Sequence, residues 1–266
     1  MNDIASRRGT RWASQRIPVP KTLLSVVGCL VLAAVVLEIA IRAGAISAYL
    51  VPRPSDVLVA FVDGLASGVL LYHGGITAFE ALTGFAIATL LGLTLAVFVA
   101  EIRLVESAVY PWMVAVQATP KIALAPLLII WFGFGLSSKI AVATIICLFP
   151  VMVTTITGLK STNAGFLDLA CSMGASRWQI LWKIKFPAAL PHVFAGLSLA
   201  SVFAFTGAIV GEFVGASAGL GHLVIDANSK IMLAEAFAAL IAVALLGLTF
   251  FYAMQAASHR VLYWKH

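Results

Sequence analysis

Six long apolar runs separated by short polar segments constrain this chain more than any other feature. They fall at about 22–41, 77–100, 109–134, 140–159, 188–210 and 234–257. Each is near the roughly 20 residues that a helix needs to cross a bilayer. Of the 266 residues, 62% are hydrophobic and 11% charged, against about a quarter charged in a soluble domain. With lipid as the solvent, every backbone group must find its partner inside its own segment, which leaves helices or a closed barrel. The alternation of outer-membrane strands is absent. The expectation is an all-α integral membrane protein of six transmembrane helices, with residues 1–21 as a basic cytoplasmic segment and 22–266 as a single domain.

Positive charge orients the spans. The net charge of +6 is scattered between apolar runs, so it addresses a membrane surface and not a nucleic acid. Arg7, Arg8, Arg11, Arg16 and Lys21 precede the first run, which is too long for a signal-peptide core and lacks a clear cleavage site. It reads as an uncleaved first span. With both termini inside, twelve of the seventeen basic residues face the cytoplasm. Arg42, Arg53, Lys139 and Lys230 fall outside, and Lys121 falls within a span. The predicted place is the plasma (inner) membrane.

Two features break the regular pattern. Thr119-Pro120-Lys121 with Pro126 interrupts the third run, because proline removes a helix hydrogen bond. A break or re-entrant kink is expected near 119–126. The second feature is a polar island at 164–186. Residues 164–173 suit a short helix that Gly174 can end in the left-handed geometry. Ser176 and Gln179 have the spacing of a capping box, and Pro187 suits the first turn of the next span. The island is therefore a helix–turn–helix elbow at the cytoplasmic surface, with Trp178 and Trp182 as lipid anchors. Outside, Pro52-Arg53-Pro54-Ser55-Asp56 leads into a short surface helix capped by Ser55, and 213–233 read as a glycine-rich turn with another short helix.

The island resembles the signature loop of ABC-transporter permeases: E-A-A, three residues, G, nine residues, I-x-L-P. Asp168-Leu169-Ala170 stands for E-A-A, Gly174 is in place, and Ile184-Lys185-Phe186-Pro187 stands for I-x-L-P. The departures are Asp for Glu, Leu for Ala and Phe for Leu. The segments 120–127, 130–133, Phe149-Pro150 and 211–216 are similar to the nitrate/sulfonate/taurine-type importer branch. This resemblance implies a type I importer permease fold and two copies paired around a path. It also implies separate ATP-binding subunits, which carry the ATP and magnesium, and an outer substrate-binding protein. It implies that Asp168, Ala170, Gly174, Ala175, Arg177, Ile184 and Pro187 form the contact with the ATPase subunit.

Other candidates rest on residue chemistry. Ionisable groups at membrane depth are costly and often functional. Thr119, Lys121 and Glu212 are candidates for the translocation path. Glu38 is expected to pair with Arg42 four residues on, and Glu80 to lie wet near an outer end. Small residues recur every four positions at Gly84, Ala88, Gly92 and Ala96, and at Gly207, Gly211 and Gly215. Such stripes let helices approach closely, either within the subunit or between two permease copies. Cys29, Cys147 and Cys171 form no CxxC pair, the histidines are dispersed, and no G-x-x-x-x-G-K-[ST] occurs. Neither a metal site, a catalytic residue nor a nucleotide bound by this chain is expected. A secondary transporter with broken helices and an integral-membrane enzyme are the alternatives.

Overall fold

The computed structural model describes residues 19–47 and 50–263. The basic residues Arg7, Arg8, Arg11, Arg16 and Lys265 of the charge pattern lie outside the described residues. The rest is helical, with no strand among the described residues. The chain divides into two units, 1–55 and 56–266.

In the first unit, α1 spans Val19–Arg42. Glu38 and Arg42 form the expected ion pair, at 2.7 Å. Glu38 also accepts the Ser55 N–H at 3.2 Å and the Ser55 hydroxyl at 2.9 Å. Ser55 is thus inside a helix that begins at Pro54, and is not its N-cap as expected. Proline at a first turn loses no hydrogen bond, and a carboxylate from elsewhere takes the orphan N–H behind it.

The first two residues of α2 (Pro54–Ala66) belong to the first unit; the second unit takes in the rest of α2 and then runs α3 (Val69–Glu101), α4 (Arg103–Ala118), a 3₁₀ turn (Lys121–Leu124), α5 (Ala125–Phe132) and α6 (Leu136–Lys160). Then come α7 (Ala164–Ser172), α8 (Arg177–Ile180), a π-helical turn (Leu181–Lys185), α9 (Phe186–Phe213), α10 (Leu220–Ser229) and α11 (Leu233–Val261). Helices α3, α6, the continuous stretch Arg177–Phe213 and α11 are long and apolar enough to cross a membrane. The pair formed by α4 and α5 makes a fifth span if its 93° bend is counted as one crossing. These helices outrun the apolar windows of the sequence, because helical hydrogen bonding continues where polar side chains begin. The 37 residues of Arg177–Phe213 rise about 55 Å, well beyond a hydrocarbon core of about 30 Å.

The break in the third run falls where the prolines put it. Pro120 drives Thr119 out of the helical region, to φ −79° and ψ 132°. Pro126 then sits in the first turn of α5, where its missing N–H costs nothing.

The core is a close trio of α3, α6 and α9. Phe85, Ala88, Cys147, Val151, Ala204 and Phe205 are among its buried members. Small side chains bring the backbones together at Ala143 of α6. A Cβ on Gly84 of α3 would lie 2.6 Å from the Ala143 Cβ, and one on Gly207 of α9 would lie 2.6 Å from the Ala143 Cα. The face that Gly207 and Gly211 form is filled by α6 of the same chain, where Gly211 meets Lys139. Gly215 meets Phe134. Gly207 and Gly211 are buried within the subunit, so for these two the reading as a face between permease copies gives way to this one, whereas Gly215 is exposed.

Candidate coupling elbow and buried polar lock

The elbow is built from local rules. Asn163 caps α7 by accepting the Gly165 N–H at 2.8 Å. The far end closes as a Schellman motif: Gly174 stands at φ +76°, its N–H reaches the Cys171 carbonyl at 2.9 Å, and Ala175 N–H reaches Ala170 at 3.0 Å. The motif positions Ala170, Gly174 and Ala175 are therefore the three corners of one turn. Ser176 and Gln179 form the expected capping box, with bonds of 2.8 and 3.3 Å. Ser176→Ala is expected to cost about 1 kcal/mol of local stability. Faster hydrogen exchange at the Gln179 amide, with the spans unchanged, would register it.

Pro187 does not open a separate span. The helix runs through it from Arg177 to Phe213. Its ring crowds the carbonyl four residues back, and the wider π turn at Leu181–Lys185 accommodates that crowding without a break. Ile184 and Pro187 are half-buried on this stretch, whereas Asp168 and Arg177 are exposed and Ala170 is buried. Trp178 and Trp182 are exposed, as lipid anchors would be. Lys185 pairs with Glu101 at 2.7 Å and so ties the elbow to the end of α3. A cleft of about 650 Å³ opens beside that pair, walled by Ile102, Leu167, Cys171 and Ile180 with Arg103 and Arg177 in its lining.

At the other end of α9 lies a buried polar lock that sequence reasoning did not assemble. Glu212 is 1% exposed. It accepts the Thr77 hydroxyl at 2.7 Å and the Gly221 N–H at 2.5 Å. Thr77 accepts the Leu220 N–H at 2.8 Å, and His73 Nδ1 accepts the Gly219 N–H at 2.9 Å. Beside them Lys139 pairs with Glu80 at 3.3 Å. Glu80 is fully buried and not wet, and Lys139 is buried and not facing outer water as the charge pattern placed it. Each is kept there by the other's charge. Ionisable side chains are therefore present inside the bundle. The signal available in the sequence was the stripe His73, Thr77, Glu80, Gly84 on one face of α3.

The path candidates separate. Thr119 and Lys121 sit together at the α4–α5 break. Thr119 is exposed and donates back to the Ala115 carbonyl, and Lys121 Nζ lies 5.3 Å from the centre of the Phe149 ring. Glu212 belongs to the lock, with both of its oxygens engaged inside the subunit. Among the described residues no three His, Cys, Asp or Glu side chains are grouped to hold a metal ion.

Residues 88–262 match a family model described as "Binding-protein-dependent transport system inner membrane component". The chain is 38% identical to the riboflavin transport system permease protein RibX of Chloroflexus aurantiacus, covering 77% of this chain and 76% of that one. It is 30% identical to the putative aliphatic sulfonates transport permease protein SsuC of Bacillus subtilis, covering 77% and 74%. Its fold is similar to that of an inward-facing crystal form of the MetNI methionine ABC transporter, with TM-score 0.55 and 20% identity over 77% of this chain and 97% of that one.

Proposed function

From the premise that this chain belongs to the family of binding-protein-dependent transport system inner membrane components, we propose that it forms the translocation path for a small solute and couples to the ATPase subunits through its 164–186 elbow. The chain is a multi-pass membrane permease subunit of an ATP-driven importer, and ATP hydrolysis belongs to a separate subunit. α1, α3, the α4–α5 pair, α6, Arg177–Phe213 and α11 make six crossings with both termini in the cytoplasm. Two copies pair around the path, with Thr119 and Lys121 beside it. ATP and magnesium stay on the ATPase subunits, and an outer binding protein delivers the cargo. The cargo class is a small organic solute, such as a flavin or a sulfonate, after the two relatives.

The observation that carries this reading is the continuity of the elbow with a span. Asp168 and the apolar Phe166, Leu169 and Met173 are exposed on α7. Such a face fits the groove of an ATPase subunit. The short turn at Gly174 makes α7 move with the helix Arg177–Phe213, and the pair of Lys185 with Glu101 ties that helix to the end of α3. ATP-driven closure of two ATPase subunits then tilts that helix and changes which side the path opens to.

Gly174→Val tests it. A Cβ at this position meets nothing within 4 Å, so the whole penalty is the left-handed backbone, about 1–2 kcal/mol. The subunit is expected to fold and the complex to assemble. Substrate-stimulated ATP hydrolysis is expected to fall toward the unstimulated rate. Full stimulation in an assembled Gly174→Val complex would refute the elbow as the coupling element.

A further inference from the structure

The helix Arg177–Phe213 ends, opposite the elbow, in a grip on another element. The first three backbone N–H groups of the α10 region, at Gly219, Leu220 and Gly221, are all taken by side chains of other helices. His73 and Thr77 of α3 take two, and Glu212 of α9 takes the third. A helix start ordinarily receives its cap from its own flanking residue. Gly219 has no side chain to offer one. A carboxylate is also the favoured partner for the positive end of the helix dipole.

The glycines are shaped to this carboxylate. Gly219 stands at φ +121°, and a Cβ on it would run into the Glu212 carboxylate. A Cβ on Gly221 would lie 2.8 Å from Glu212 Oε2. Residues 214–218, the covalent link from α9 to α10, form no helix of their own. α10 packs on α11 as well as on α9 and α3, since Leu220 shares one apolar cluster with Ala239, Ile209 and Leu70. Non-directional apolar contact thus holds α10 to several helices, and the directional bond to α9 comes from the Glu212 carboxylate.

We propose that Glu212 is a positioning residue that makes α10 move with the helix of the elbow, with Thr77 and His73 joining α3 to the same unit. Displacement at the elbow travels along Arg177–Phe213 and passes through the Glu212 carboxylate to α10, at the far membrane surface. This rests on the elbow reading above. It adds the element that is moved at the other side, and the residues that move it.

Hydrogen exchange on the full complex in nanodiscs, with and without ATP, tests the proposal. In the wild type, both the elbow (164–180) and α10 (219–230) are expected to change their exchange on ATP addition. In Glu212→Ala the elbow response persists and the α10 response is lost. Binding-protein-stimulated ATP hydrolysis drops by roughly fivefold or more, as a lost coupling between sites would produce. Glu212→Gln restores both, because its amide oxygen can accept from Gly221 while its NH₂ donates to Thr77 Oγ1. Gly221→Ala, whose Cβ would lie 2.8 Å from Glu212 Oε2 and so displace the carboxylate, reproduces the loss and decides the matter if Glu212→Ala does not assemble. The proposal is overturned if α10 in these variants still answers ATP as in the wild type. It is equally overturned if elbow and α10 lose their responses together. A wild-type elbow that does not respond to ATP would instead remove the reading on which the proposal stands.

Discussion

Lys139→Met is expected to destabilise the folded subunit by about 3–5 kcal/mol, because it leaves Glu80 as an uncompensated charge inside the bundle. Glu80 is 0% exposed and Lys139 is 5% exposed, so water cannot screen what remains. The penalty is one of orphaning and does not measure the worth of the pair. Glu80→Gln combined with Lys139→Met should therefore recover most of the loss, as a buried ion pair replaced at both ends is often close to neutral. Thermal unfolding of the purified subunit in detergent, run as a double-mutant cycle, reads both. Additive losses in the double variant would show that Glu80 and Lys139 do not act as a pair.

The second large effect comes from the backbone contact at Ala143. Gly84→Ala and Gly207→Ala should each cost about 1–3 kcal/mol by overpacking. They differ in what can relieve them. The new methyl group at 84 meets the Ala143 Cβ, which Ala143→Gly removes. At 207 it meets the Ala143 Cα and N, which no substitution at 143 can remove. Stability measured by thermal unfolding should thus recover substantially in Gly84→Ala/Ala143→Gly. Gly207→Ala should stay destabilised when Ala143→Gly is added. Equal rescue at both positions would contradict the helix spacing described here.

Much of the elbow was legible because it is local. Ser176 with Gln179, and Gly174 after a short amphipathic run, meet their partners within a few residues, and those short-range hydrogen bonds depend little on the rest of the fold. The α4–α5 break was legible for the same reason, since Pro120 acts on Thr119 directly. The run through Pro187 was not, because a π turn upstream offers the chain an alternative to breaking. Nor was the lock. Glu80, Lys139 and Glu212 stand on three different helices, and the sequence placed two of them by their distance from a span end alone.

Composition and apolar run length, read without any coordinates, decided that this chain lives in lipid as helices, because a backbone deprived of water has almost no other way to satisfy itself. Motif spacing pointed to the permease family and to the turn at Gly174, since both are written within short stretches of chain. Tertiary structure alone decided which charges are buried, which helix each glycine stripe meets, and that α10 begins in the grasp of α3 and α9. Those outcomes depend on which faces come together across long separations in sequence, and hydropathy carries no information about that pairing.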